Sequence, residues 1–170
     1  MQHPESFDVI VIGGGHAGTE AALAAARIGV RTLLVTHSIG TVGQMSCNPA
    51  IGGLAKSHLV HELDALGGIM PIAADASGIQ FKTLNTSKGR AVWSPRCQVD
   101  KKLYASFIQQ NISLHEKITV IQDQVVNFSV YNGAIGSVFL KSGKTIIAHG
   151  LIVCSGTFLN GLIHVGEDCF

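Results

Sequence analysis

The chain has 170 residues, enough for one domain with a substantial core. Apolar residues make up 46% and charged residues 14%, a composition that excludes disorder and points to strands buried on both faces, as in parallel α/β sheets. A net charge of +1 gives no electrostatic support for binding a nucleic acid or a membrane surface.

Four cysteines, Cys47, Cys97, Cys154 and Cys169, form no CxxC pair and no zinc-like spacing with histidine. No secretory or transit segment is read, and no apolar stretch is long enough to span a bilayer. The expected setting is therefore reducing and cytoplasmic, without a membrane partner.

Residues 7–12 (FDVIVI) form a β-branched run that enters Gly13-Gly14-Gly15-His16-Ala17-Gly18. Residues 19–28 predict a helix stopped by Gly29, and residues 31–36 (RTLLVT) a second strand, completing a βαβ unit. A loop of small residues follows over 38–53, then a helix over 54–66 closed by Gly67-Gly68. Residues 69–92 show no clear period. A helix is expected over 99–110, with Val99, Leu103, Phe107 and Ile108 on one face, and a third strand over 118–121.

Residues 125–149 predict an antiparallel meander turning at Asn132-Gly133 and Ser142-Gly143. Residues 151–156 (LIVCSG) predict a strand that returns to the main sheet. The expected fold class is α/β: a Rossmann-type parallel sheet with an inserted antiparallel β-meander.

The glycines at 13, 15 and 18 follow a strand and open a helix, the context that makes this spacing a dinucleotide fingerprint. The first permits the turn, the second leaves room for a pyrophosphate, and the third lets the helix approach the sheet. The helix N-terminus supplies free N–H groups and partial positive charge. The acid that usually ends the second strand and binds a ribose hydroxyl is missing, Thr36-His37 standing there instead. No arginine cluster favours a 2′-phosphate. The meander and the small-residue return at Cys154-Ser155-Gly156-Thr157 favour FAD over NAD by analogy with two-dinucleotide flavoproteins.

The stretches GGGHAGTEAA (13–22), MSCNPAIGG (45–53), ELDALGG (62–68), GIQF (78–81), SKG (87–89) and GTFLNGLIH (156–164) together resemble the tRNA uridine 5-carboxymethylaminomethyl modification enzymes, the MnmG/GidA family. The resemblance runs from about Phe7 to Gly166; the Glu167-Asp-Cys-Phe170 tail is read as outside it. It implies an FAD enzyme that works with the GTPase partner MnmE. The pair adds a carboxymethylaminomethyl-type group to C5 of a wobble uridine in tRNA, with methylenetetrahydrofolate as one-carbon source and NADH as reductant. Carried over by residue, Gly13, Gly14, Gly15, His16, Ala17 and Gly18 match the FAD pyrophosphate segment, and Val125 a position that touches FAD. Cys47 matches a cysteine implicated in catalysis, with a helix N-terminus near Gly52-Gly53 as the expected means of lowering its thiol pKa; the opposing reading is an inert small residue in a turn.

Arg90, Trp93 and Cys97 stand where the family usually has Pro, Arg and Ala. Family members are also much longer, with an NADH-binding insertion, a second half of the FAD domain and a helical C-terminal part. Residues 1–170 are accordingly read as the N-terminal part of an FAD-binding domain, an incomplete FAD-binding, Rossmann-type parallel sheet with its inserted antiparallel β-meander at about 125–149. The fragment is expected to be inactive alone and the full-length protein to dimerise. The alternatives are a degenerate product without ligand and another folate/FAD-dependent tRNA-modifying enzyme.

Lys88, Arg90, Arg96, Lys101 and Lys102 form a basic cluster in sequence, with Trp93 able to stack on a base. The opposing reading is a solvated charged face. His58 and His61 lack a third ligand at metal-binding spacing, so no metal site is expected. Cys97 and Cys154 are read as packing residues.

Overall fold

The structure, a computed structural model, describes residues 5–157, 162 and 164–169. Most of the GTFLNGLIH stretch, residues 158–161 and 163, therefore lies outside the described residues.

Strand β1 (Ser6–Ile12) leads through Gly13 into helix α1 (His16–Arg27) and strand β2 (Thr32–Thr36), which lies parallel to β1 with Ile12 opposite Val35. After Thr19, α1 holds only Ala, Leu, Glu and Arg, all strong helix formers. Its buried Ala22, Ala25 and Ala26 keep the sheet-facing side thin. At its end Gly29, at φ +93°, donates to the Ala26 carbonyl (2.9 Å) and Val30 to that of Ala25 (3.4 Å), the paired bonds of a Schellman stop.

The region between β2 and the next strand of the main sheet is more ordered than its lack of period implies. It contains β3 (Ala50–Gly52), α2 (Ser57–Ala65), α3 (Ile69–Ala76), β4 (Gly78–Leu84), β5 (Ser94–Val99) and α4 (Lys101–Ser113). The expectation of an irregular segment over 69–92 is corrected by α3 and β4. Pro71 sits at the third position of α3, where no intrahelical N–H bond is lost. The Glu20 carboxylate of α1 caps that helix, accepting from the N–H groups of Ile69 (3.1 Å) and Met70 (2.6 Å). β4 and β3 flank β5 in an antiparallel three-stranded sheet. Val99 ends β5 rather than starting α4, because Asp100 is the N-cap, accepting from Lys102 N (2.8 Å) and Leu103 N (3.0 Å).

The main sheet has six strands in the order β6 (Ile118–Gln122), β2, β1, β9 (Thr145–Val153), β8 (Ala134–Leu140), β7 (Val125–Tyr131). The first four are parallel, and β8 and β7 run antiparallel beside β9. The third meander strand and the returning strand, expected as separate, are one element: Gly150 between them pairs with Val9 inside β9. The inserted antiparallel meander is thus hydrogen-bonded into the main sheet through β9.

At its β1 and β2 strands the parallel sheet is buried on both faces. Val11 and Leu34 pack with Tyr104, Ile108 and Ile112 of α4 and with Ala22 and Leu23 of α1. On the other face Ile10, Leu33 and Val35 pack with Val138, Leu140 and Ile146 of the meander. Among the described residues no helix is long and apolar enough to cross a membrane.

Candidate functional site

The C-terminal ends of β1, β2, β6 and β9 meet at one edge of the sheet, where parallel α/β folds place their ligands. A cleft of ≈ 550 Å³ opens there. It is lined by Gly13, Gly14 and Gly15 from the turn, Thr36 and His37 from β2, and Asp123, Gln124 and Val125 between β6 and β7. Cys154, Ser155 and Gly156, just after β9, close the other side.

The turn is fixed by close backbone approach. Gly13 donates to Val35 O (2.8 Å), and Cys154 donates to Ile12 O (2.8 Å). A Cβ on Gly13, at φ +102°, would lie 2.2 Å from the Cys154 carbonyl oxygen. One on Gly18 would lie 1.8 Å from the Gly13 oxygen, and one on Gly14 would press on Val42 and Thr36 at 2.9–3.0 Å. The loop after β2 folds over this point, Gly43 donating to Gly14 O at 2.8 Å. A Cβ on Gly15 would meet nothing within 4 Å.

Gly15 is also the N-cap of α1. It supplies no capping side chain, and the first turn carries no acidic residue. The partial positive charge and the first-turn N–H groups of His16, Ala17 and Gly18 are therefore not neutralised by the protein. The residues at this turn fit an anionic pyrophosphate: open space at Gly15, an uncapped helix N-terminus, and glycines wherever a side chain would collide. Val125 begins β7, is half-buried against the second core and reaches the cleft.

The His16 ring turns inward, edge-on to Tyr104 with centroids 5.6 Å apart, and its buried Nδ1 has no hydrogen-bond partner. Burial pushes its pKa below the usual imidazole range, against the opposing influence of Glu20. Burial likewise raises the pKa of the fully buried Tyr104 hydroxyl. At the turn, His16 thus offers its backbone rather than its ring.

Cys47 is exposed on the loop before β3 and is not among the residues lining the cleft. Lys101, at the start of α4, donates to its carbonyl at 2.6 Å. The expected helix terminus beside it is corrected: Gly52 belongs to β3, and α2 starts only at Ser57 after Lys56. Cys97 is buried, donating to Ala74 O at 3.4 Å, and burial raises both its pKa and that of Cys154.

The basic cluster divides in space. Arg90 stacks on Trp93 at 5.6 Å, Lys101 holds the Cys47 loop, and Arg96 lines a separate groove with His61, Asp64 and Asp75. Among the described residues, no three His, Cys, Asp or Glu side chains group as a metal site. Asp123 and Gln124 belong to no motif of the sequence; their signal is their position directly after the third parallel strand, where such folds place ligand contacts.

Comparison with known proteins adds the family. The family described as glucose inhibited division protein A matches residues 8–170, which brings the Glu167–Phe170 tail inside the resemblance. The structure of GidA from Aquifex aeolicus is 50% identical, with a TM-score of 0.92 over 97% of this chain and 27% of that one. The chain thus spans about a quarter of that relative's length. The GidA-related protein from Thermus thermophilus shares the fold at 14% identity and a TM-score of 0.61, over 96% of this chain and 59% of that one. PqsL of Pseudomonas aeruginosa, described as a probable FAD-dependent monooxygenase, shares it at 13% identity and a TM-score of 0.59, over 86% and 42%.

Proposed function

The chain belongs to the glucose inhibited division protein A family, and from that premise we propose that it forms the pyrophosphate-binding part of an FAD site in a tRNA-modifying flavoenzyme. The observation that carries the reading is the turn at Gly15, where the only open Cβ direction in the GxGxxG segment coincides with an uncapped helix N-terminus. Gly13, Gly14 and Gly15 with the first turn of α1 would hold the pyrophosphate, and Val125 would touch the cofactor. Bound flavin supplies redox chemistry; the protein's part is to bind and orient it.

The finer reading rests on the motifs GGGHAGTEAA, MSCNPAIGG and GTFLNGLIH. In it, the longer protein adds a carboxymethylaminomethyl group to C5 of wobble uridine in tRNA. It uses methylenetetrahydrofolate and NADH, acts as a homodimer with the GTPase MnmE, and works in the cytoplasm. The exposed Cys47 sulfur adds to C6 of the uracil and makes C5 nucleophilic; C5 and the nitrogen of an amine donor then take the places of the two folate nitrogens on the methylene carbon, releasing tetrahydrofolate. Loss of the C5 proton and expulsion of the thiolate then restore the ring. Because this chain covers 27% of the Aquifex relative, that activity is assigned to the longer protein and not to these 170 residues alone.

Titrating FAD into the purified chain tests the cofactor reading through the flavin absorption and fluorescence. Saturable binding that is lost in Gly15→Asp supports it. A folded, monodisperse chain that binds no flavin overturns it for this chain and favours a product without ligand.

A further inference from the structure

The acid missing from the end of β2 has a counterpart one strand away. Thr36 is buried, and its hydroxyl donates to Ser38 O at 3.4 Å, while His37 brings no carboxylate. β6 runs parallel beside β2 with Gln122 opposite Thr36. The next residue, Asp123, donates its N–H to Thr36 O at 2.9 Å. Asp123 therefore stands at the ligand-binding end of the sheet and lines the same cleft as Gly15 and Val125.

Its carboxylate is held in place. Oδ1 accepts from Gln124 N at 2.7 Å. The Ser142 hydroxyl, the Gln124 N–H and the Ser142 N–H hold its pKa below the ordinary carboxylate range. An ionised carboxylate offers about four acceptor positions, so these donors leave room for a further one from the cleft.

We propose that Asp123 is the ribose-recognising acid of this cleft: it accepts from a hydroxyl of the adenosine ribose and disfavours nucleotides that carry a 2′-phosphate. The inference rests on the dinucleotide reading of the cleft given above. It replaces the acid at the end of the second strand by one from the adjacent parallel strand, reached because β6 ends beside β2.

ADP, 2′-deoxy-ADP and 3′-deoxy-ADP titrated calorimetrically into the chain provide the test. The wild-type chain should prefer ADP over at least one deoxy analogue by about tenfold, the order expected for a hydrogen bond to a charged group. Asp123→Ala should bind all three equally, whereas Ser142→Ala, which removes a donor but keeps the acceptor, should retain the preference. Where Asp123→Ala does not fold, Asp123→Asn serves instead, with a reduced preference and improved binding of 2′-phospho-ADP as the expected results. Wild-type chain that binds ADP without discriminating the hydroxyls overturns the inference and leaves the cleft reading standing, as does an Asp123 variant that keeps the full preference. Wild-type chain that binds none of the three overturns both.

Discussion

Gly13, Gly15 and Gly18 occupy one motif for different physical reasons, and substitutions separate them. At Gly18 a Cβ collides with the Gly13 carbonyl, which cannot give way without opening the turn. Gly18→Ala should therefore cost about 1–3 kcal/mol of stability in chemical denaturation. At Gly15 the added atoms meet empty space, and Asp is a favoured N-cap at a helix end that lacks one. Gly15→Asp should leave stability unchanged or raise it by up to about 1 kcal/mol, while blocking the pyrophosphate. A variant stabilised and unable to bind would establish that this glycine is kept for a ligand and not for the fold.

His16 makes a second prediction at this scale. Its folded pKa lies below the value of about 6.5 of the unfolded chain, so the unfolded state binds more protons as the pH falls. Its contribution to stability is complete above that unfolded value and declines as the pH drops below it. His16→Gln should flatten the stability profile as the pH falls below about 6.5. Melting temperatures measured across that window check it, and an unchanged slope would remove His16 as its source.

At the scale of elements, α4 shows how a helix finds its face. Tyr104, Ile108 and Ile112 are buried at successive four-residue steps, whereas Leu103 is 59% exposed. The face read from Val99, Leu103, Phe107 and Ile108 is rotated from the buried one because Val99 belongs to β5 and anchors the count one element too early. Ile108→Ala should cost about 2–5 kcal/mol, and Leu103→Ala within about 0.5 kcal/mol. Loss of the Asp100 cap in Asp100→Ala should lower the melting temperature. Equal costs at Leu103 and Ile108 in urea unfolding would contradict the observed packing. The same logic explains α3: with only eight residues and an early proline it has little helical signature of its own. Its N-terminus is closed by Glu20 from a distant helix.

Across the whole molecule, the main sheet is not closed on its β9 side. β8 leaves β9 after Ile147, and from Ala148 to Val153 β9 pairs only with β1 among the described residues. Val153 is 57% exposed at that edge, and Ile79 and Phe81 are exposed on the outer strand of the small sheet. An unpaired apolar edge is a template for another strand. The chain should associate with rising concentration in sedimentation velocity, and Ile152→Lys should shift it towards monomer. Identical sedimentation of the two would place the association surface elsewhere.

Features whose signal is local were legible in the chain alone. The FDVIVI run, the glycine spacing, the Gly29 stop and the turns at Asn132-Gly133 and Ser142-Gly143 are short-range chemistry, and each lies where it was expected. The MnmG/GidA resemblance was legible too, because its motifs are contiguous strings. Features that depend on distant partners needed the folded molecule. β4 and β5 order one another across an irregular loop, Glu20 closes α3, and Gly150 stays extended because Val9 lies beside it. The cleft is the plainest case: Gly15, Asp123 and Cys154 are far apart along the chain and meet only because strand order places the ends of β1, β6 and β9 at one edge of the sheet. Periodicity reports which side of an element is buried; it carries no information about which elements are neighbours, and that adjacency builds the site.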